Sequence, residues 1–187
     1  MITILTDHDI GSRYLKKYTQ SVIEQAKKKF DVVVLECKEL NKENVKNRIK
    51  KHGPSFIFFN GHGTSSSMMK NEDEELLGLN DKDCFSNSVT FARACDCLKE
   101  LGKEAVKYGC KAFIGYKNEF WIAHLNEMES RPLQDPLAKP VIETSNIIAE
   151  ELIKGKTVVE AVNKSHENVA KLISKIMFSD DPKALKN

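Results

Sequence analysis

Hydrophobic residues along this chain come in short unbroken runs that alternate with longer stretches of helical period. Ile2-Thr3-Ile4-Leu5, Val32-Val33-Val34-Leu35, Phe56-Ile57-Phe58-Phe59, Val89 to Ala94 and Ala112-Phe113-Ile114 read as five buried strands. Between them, Ser12 to Lys29 sets Leu15, Tyr18, Val22 and Ala26 on one face, with Ser12 the predicted N-cap. Asn41 to Lys51 predicts a second helix closed by Gly53-Pro54, and Cys97 to Tyr108 a third ending at Gly109. After Pro140 the pattern is helical only. Ile147, Ile148, Leu152 and Ile153 form one stripe stopped by Gly155, and Val162, Val169, Ile173 and Ile176 form another. Thr157 with Glu160 is a capping box for that last helix.

Strands apolar on both faces and separated by helices predict a mainly parallel sheet covered on two sides, a three-layer α/β/α sandwich. The length of 187 residues suits one domain over 1–187. Two connections, 64–87 and 117–140, are long and polar and are expected to be loops. The first leaves the end of the third strand and the second the end of the fifth. In a parallel sheet, ligands bind outside the carboxyl ends of the strands.

Composition narrows the classes. The 29 basic and 27 acidic residues nearly cancel, which gives no electrostatic case for nucleic acid or an anionic membrane. Apolar runs are too short for a transmembrane helix, and Met-Ile-Thr-Ile-Leu-Thr-Asp lacks the basic start of a signal peptide. Five cysteines at irregular spacing point to reduced thiols and a cytoplasmic setting rather than a disulfide framework. Structural zinc prefers Cys-x2–4-Cys pairs. Cys95-Asp96-Cys97 is the one close pair, so no metal site is expected among Cys84, Cys95, Cys97, Cys110 and His62.

The reactive side chains gather at the strand ends. The first strand ends in Asp7-His8-Asp9, the third in Asn60-Gly61-His62-Gly63 and the fourth in Arg93-Ala94-Cys95-Asp96-Cys97. A histidine and a cysteine leaving two nearby strands at one sheet edge suit nucleophilic thiol chemistry. Glycine after His62 lets backbone N–H approach a developing oxyanion. Cys95 near the start of the third helix would feel its dipole. His8 can face the site from the first strand, or be a solvated turn residue. Phe120-Trp121-Ile122 can line a substrate groove or form an outer strand.

FIFFNGHG (56–63) and VTFARAC (89–95) resemble the caspase-haemoglobinase superfamily of cysteine peptidases, closest in look to CHAT-type and gingipain-like domains. ILTDHDIGS, GLNDKDC, YGCKAFIGY and LIKGKTVVEAVNKS look like CHAT-type landmarks in the usual order, so the resemblance covers most of the chain. It implies a caspase-like fold and a cysteine endopeptidase with a His62–Cys95 dyad. It further implies an oxyanion hole from the Gly63 and Cys95 amides, a protein or peptide substrate and no cofactor. Arg93, Asp7 and Asp96 are the candidate substrate-binding residues. Relatives with an acid two before the cysteine cleave after basic residues, so Arg93 there implies Asp or Glu at P1. The sequence departs from the caspase pattern Gln-Ala-Cys-x-Gly: Arg-Ala-Cys stands here, Cys97 replaces the glycine, and 33 rather than roughly 50 residues separate histidine and cysteine. The alternative is a catalytically silent caspase-like binding or signalling module. A flavodoxin-like or receiver-like domain using Asp7 and Asp9 is a further rival, but no Gly-rich loop follows the first strand.

Overall fold

The computed structural model describes residues 1–178. In chain order it has β1 (Ile2–Leu5), α1 (Ile10–Lys27), β2 (Val33–Glu36), α2 (Lys42–His52), β3 (Phe56–Asn60), β4 (His62–Gly63), β5 (Ser67–Met69), β6 (Glu75–Gly78), β7 (Val89–Arg93), α3 (Leu101–Lys107), β8 (Ala112–Ile114), α4 (Ala138–Ile153) and α5 (Val158–Met177). The chain divides into two compact units, Met1–Trp121 and the residues from Ile122 onward.

The first unit is α/β. Its central sheet has the order β2-β1-β3-β7-β8, and every neighbouring pair is parallel. The chain moves from β1 outward to β2 and then returns past β1 to β3. Right-handed crossovers therefore place α1 and α2 on opposite faces. Side chains obey that division. Ile57, Phe59 and Ala92 share a buried cluster with Val45 and Ile49 of α2 and Leu101 and Ala105 of α3. Phe58 and Phe91 stack on the other face at 5.1 Å, and there Thr19 of α1 meets β7 through a hydrogen bond from Arg93. Burying side chains of this size contributes roughly 1.5–3 kcal/mol each. The central sheet flanked by helices is the arrangement the hydrophobic pattern predicts.

Two local differences matter for the site. The N-cap of α1 is Asp9, not Ser12. The Asp9 carboxylate takes the Ser12 backbone N–H at 2.6 Å, and the Ser12 hydroxyl takes the Asp9 N–H at 3.1 Å, so the two close a reciprocal capping box. The third helix begins only at Leu101, because the N–H groups of Glu100 and Leu101 donate instead to the Ser65 carbonyl, at 3.2 and 2.9 Å. Cys95 is consequently not at a helix N-terminus.

The 64–87 stretch, expected as a loop, is largely ordered. β4, β5 and β6 form a small antiparallel sheet, and Leu79–Phe85 follows as 3₁₀ turns. Met68, Leu76 and Leu77 fill the buried cluster under α2. Lys42 of α2 bonds both Glu75 and the nearly buried Asp81, each at 2.7 Å. The hydrogen bonds from Lys42 and from the Ser67 hydroxyl hold the Glu75 carboxyl below its usual range. At Asp81, burial pushes the carboxyl up, but the hydrogen bonds from Lys42, Lys46 and the Gly78 N–H outweigh it, and the net direction is down.

The second unit is helical. Its N-terminal stretch is irregular apart from 3₁₀ turns at Asn126–Met128 and Pro132–Gln134. The Asp135 carboxylate accepts from the N–H groups of Leu125, Leu137 and Ala138 and so fixes the approach to α4. The predicted capping box at α5 is formed: the Thr157 N–H donates to Glu160 Oε2 at 2.8 Å and the Glu160 N–H to Thr157 Oγ1 at 3.2 Å. Ser165 and Asn168 of α5 donate to Thr144 of α4 at 2.9 and 3.0 Å. Val169 and Ile173 are exposed, and the Ile176 side chain lies outside the described residues. Among the described residues, no helix is long and apolar enough to cross a membrane.

Candidate active site at the strand ends

The strand order reverses at β1 and β3, and the carboxyl ends of these strands flank a topological switch point. Asp9 follows β1, His62 follows β3, and Cys95 follows β7, the next strand across. Register brings the last two level. Asn60 pairs with Arg93, and His62 and Cys95 each lie two residues further along.

His62 opens β4 rather than ending β3. The chain between them is threaded through a gap only glycine fits: a Cβ on Gly61 would lie 2.8 Å from Thr6, while its N–H bonds the Arg93 carbonyl at 3.3 Å. One residue on, a Cβ on Gly63 would lie 2.5 Å from both the Cys95 carbonyl oxygen and the Cys97 sulfur. The histidine strand and the cysteine turn are therefore packed backbone to backbone. Beyond Cys95 the chain turns sharply at Asp96, which adopts the left-handed conformation at φ 60. Asp and Asn are among the few L-residues that tolerate it.

The His62 ring is fixed by Asp9. Its Nε2 lies 2.5 Å from Asp9 Oδ2, while Oδ1 of the same carboxylate is held by Ser12. With Nε2–H donating to the carboxylate, the lone pair of the neutral ring is on Nδ1. At Asp9, burial pushes the carboxyl up, but the Ser12 hydrogen bonds and the His62 ring outweigh it, and the net direction is down. The His8 ring meets the His62 ring edge-on, centroids 4.8 Å apart, and His8 Nε2 is 3.5 Å from Asp9 Oδ2.

Cys95 is partly buried, and its sulfur accepts the Phe120 N–H at 3.3 Å. Among the described residues no hydrogen bond joins Cys95 to His62. Catalytic contacts of this type commonly tighten only with substrate. Phe120 sits against Tyr116, ring centroids 4.7 Å apart, and Trp121 is 77% exposed. This aromatic stretch forms no strand; it passes the thiol as irregular chain.

The other thiols have different surroundings. Cys97 is fully buried, and burial, with Cys95 and Asp96 nearby, pushes its thiol up to about 12. It donates to the Ser67 carbonyl, so it packs rather than reacts. Burial likewise pushes up Cys84 and Cys110. Cys37 is exposed. All five cysteines are free.

The expected substrate-binding residues do not converge on the thiol. Arg93 is fully buried on the α1 face: Nε donates to Asn60 Oδ1 at 2.8 Å and Nη2 to Thr19 Oγ1 at 2.6 Å. Burial lowers its guanidinium to about 10. An arginine enclosed in this way cannot serve as a substrate-facing carboxylate clamp, so it supplies no preference for Asp or Glu at P1. Asp7 turns to Lys16 at 2.8 Å, and that bond holds its carboxyl down. Asp96 pairs with Lys99 at 2.8 Å. Sequence reasoning missed Asp9 as a partner of His62. The Asp9-x-x-Ser12 spacing was a legible capping signal, but nothing local showed that Oδ2 would face a residue 53 positions away.

Compared with models of known protein families and with curated proteins, the chain matches none. Function therefore rests on the geometry.

Proposed function

We propose that the chain is a cysteine endopeptidase working through His62 and Cys95, with Asp9 as the residue that positions His62. The observation that carries this reading is the Asp9–His62 pair at 2.5 Å set on the strand that packs against the Cys95 turn. In the reaction, His62 Nδ1 takes the Cys95 thiol proton, and the Phe120 N–H stabilises the resulting thiolate. The thiolate attacks the scissile carbonyl, and the Gly63 and Cys95 amides receive the oxyanion. The imidazolium, steadied by Asp9, returns its proton to the leaving amine. Water then hydrolyses the thioester with His62 as base, restoring the thiol.

A peptide library scanned at P1 tests this, with Cys95→Ala as control. Turnover by the natural chain and none by Cys95→Ala supports it; equal turnover by both assigns the cleavage to a contaminant and removes the reading. A second reading, a silent module on the same fold, draws on the separate partners of the two dyad residues, Phe120 for Cys95 and Asp9 for His62. Absence of turnover with every P1 residue favours that module.

A further inference from the structure

The geometry points to a divalent-metal site of the zinc class formed by His8, Asp9 and His62, whose filling switches off the chemistry proposed for Cys95. The regulatory half rests on the peptidase reading above; the metal site itself does not.

The three donor atoms, one from each residue, all lie within 4.8 Å of one another. Two imidazoles and one carboxylate are a ligand set that suits zinc and other first-row divalent ions. On a tetrahedral zinc with bonds near 2.0–2.2 Å, ligand atoms stand about 3.3 Å apart. The His8 Nε2–Asp9 Oδ2 separation is already 3.5 Å, and the His62 Nε2–Asp9 Oδ2 separation of 2.5 Å needs to open by less than about 1 Å. Asp9 is anchored for the role. Ser12 engages Oδ1 through its backbone N–H at 2.6 Å and its hydroxyl at 2.7 Å, which leaves Oδ2 turned toward both rings. Carboxylate ligands held by such outer hydrogen bonds bind metals more tightly. The side chains of His8, Asp9 and His62 are 29%, 38% and 39% exposed, so ion and water can reach the remaining coordination positions.

The consequence for His62 follows from its two nitrogens. Without metal, Nε2 carries the ring proton and donates to Asp9, and Nδ1 holds the lone pair that receives the thiol proton. A metal on Nε2 takes up the lone pair of that nitrogen, so the single proton of the neutral ring moves from Nε2 to Nδ1 with no net release to solvent. His62 then has no free lone pair, and it can neither deprotonate Cys95 nor become the imidazolium that protonates a leaving amine. His8 takes no part in the proposed reaction, so it separates metal control from catalysis.

The test is zinc binding to the full chain, read by competition with a chromophoric chelator, alongside Cys95 labelling by a peptidyl electrophile. One zinc per chain is expected. His8→Ala should weaken it at least about tenfold. Cys95→Ala should leave it unchanged, although five free thiols are present. Zinc should suppress labelling of the natural chain and not of His8→Ala. No binding, or binding lost in Cys95→Ala and kept in His8→Ala, overturns the site. Binding as expected with labelling unaffected by zinc overturns the regulatory half. If Cys95 resists the electrophile even without zinc, the peptidase reading fails while the binding result still decides the metal site.

Discussion

Two neighbouring layers at the carboxyl ends of β3 and β7 behave differently. Asn60 and Arg93 are paired in register, fully buried and bonded to each other at 2.8 Å. His62 and Cys95, two residues further along each chain, are partly exposed and bonded to other partners. The lower layer lies between sheet and helix, where a polar group must find protein partners. The upper layer lies past the last paired residues of the central sheet, where the side chains are open to water. The same strand direction thus gives a structural pair and the pair proposed to react. What separates them is the point at which the sheet stops, fixed here by Gly61, Gly63 and the left-handed turn at Asp96.

The contrast can be broken from either layer. Arg93→Leu removes the buried donor to Asn60 and Thr19 and should cost about 3 kcal/mol in urea unfolding. His62→Ala and Cys95→Ala should stay within about 1 kcal/mol of the natural chain, because their side chains are only partly buried. Similar losses in both layers would erase the distinction.

Gly63→Ala attacks the contact between the histidine strand and the cysteine turn. Its Cβ would stand 2.5 Å from a backbone oxygen, which cannot swing away as a side chain can. Overpacking of this kind costs about 1–3 kcal/mol. The change should also abolish selective reaction at Cys95, which mass spectrometry of labelled protein would read. Full retention of that selectivity would mean the close packing is irrelevant to the thiol.

At Asp9 the effect on stability is modest and the effect on the thiol is large. Asp9→Ala should lose about 1 kcal/mol as an N-cap, while Asp9→Asn, also a good cap, should lose little. Both should slow Cys95 labelling by about a hundredfold or more, if orienting and charging His62 is the carboxylate's role. The pH dependence has a definite sign. The folded Asp9 carboxyl is held below its ordinary 3.8, so the unfolded chain binds the proton more readily. Its contribution is complete above about pH 4 and is lost as pH falls through the lower folded value. The stability gap between the natural chain and Asp9→Ala should therefore close in acid, as acid-range unfolding curves would measure.

Much of this layering was legible in the sequence. Unbroken four-residue apolar runs such as Phe56–Phe59, flanked by turn residues such as Gly53-Pro54 and Gly61, read as strands covered on both faces, and the Thr157–Glu160 spacing set the start of the last helix. The small sheet of β4, β5 and β6 was not legible. Its strands are two to four residues long, and Met68, Leu76 and Leu77 show no alternation because what buries them is the cluster beneath α2. The late start of α3 depends on Ser65, distant in sequence. At the site, His62, Gly63 and Cys95 stood out because each follows a buried strand. Arg93 stands two residues before Cys95, but that spacing in the sequence does not show that it lies inside the sheet, fully buried, while the thiol lies beyond it. Asp9 was overlooked because its second oxygen acts across the switch point.

The most direct test of the central claim is the rate at which a peptidyl acyloxymethyl ketone modifies each of the five cysteines, followed by peptide mass spectrometry. Cys37 is the exposed thiol and would react first if access alone governed the rate. Activation by His62 predicts the reverse: Cys95 reacts first, by about a hundredfold or more, and His62→Ala removes that lead. Cys37 reacting ahead of Cys95, or a Cys95 rate unchanged in His62→Ala, would contradict the account.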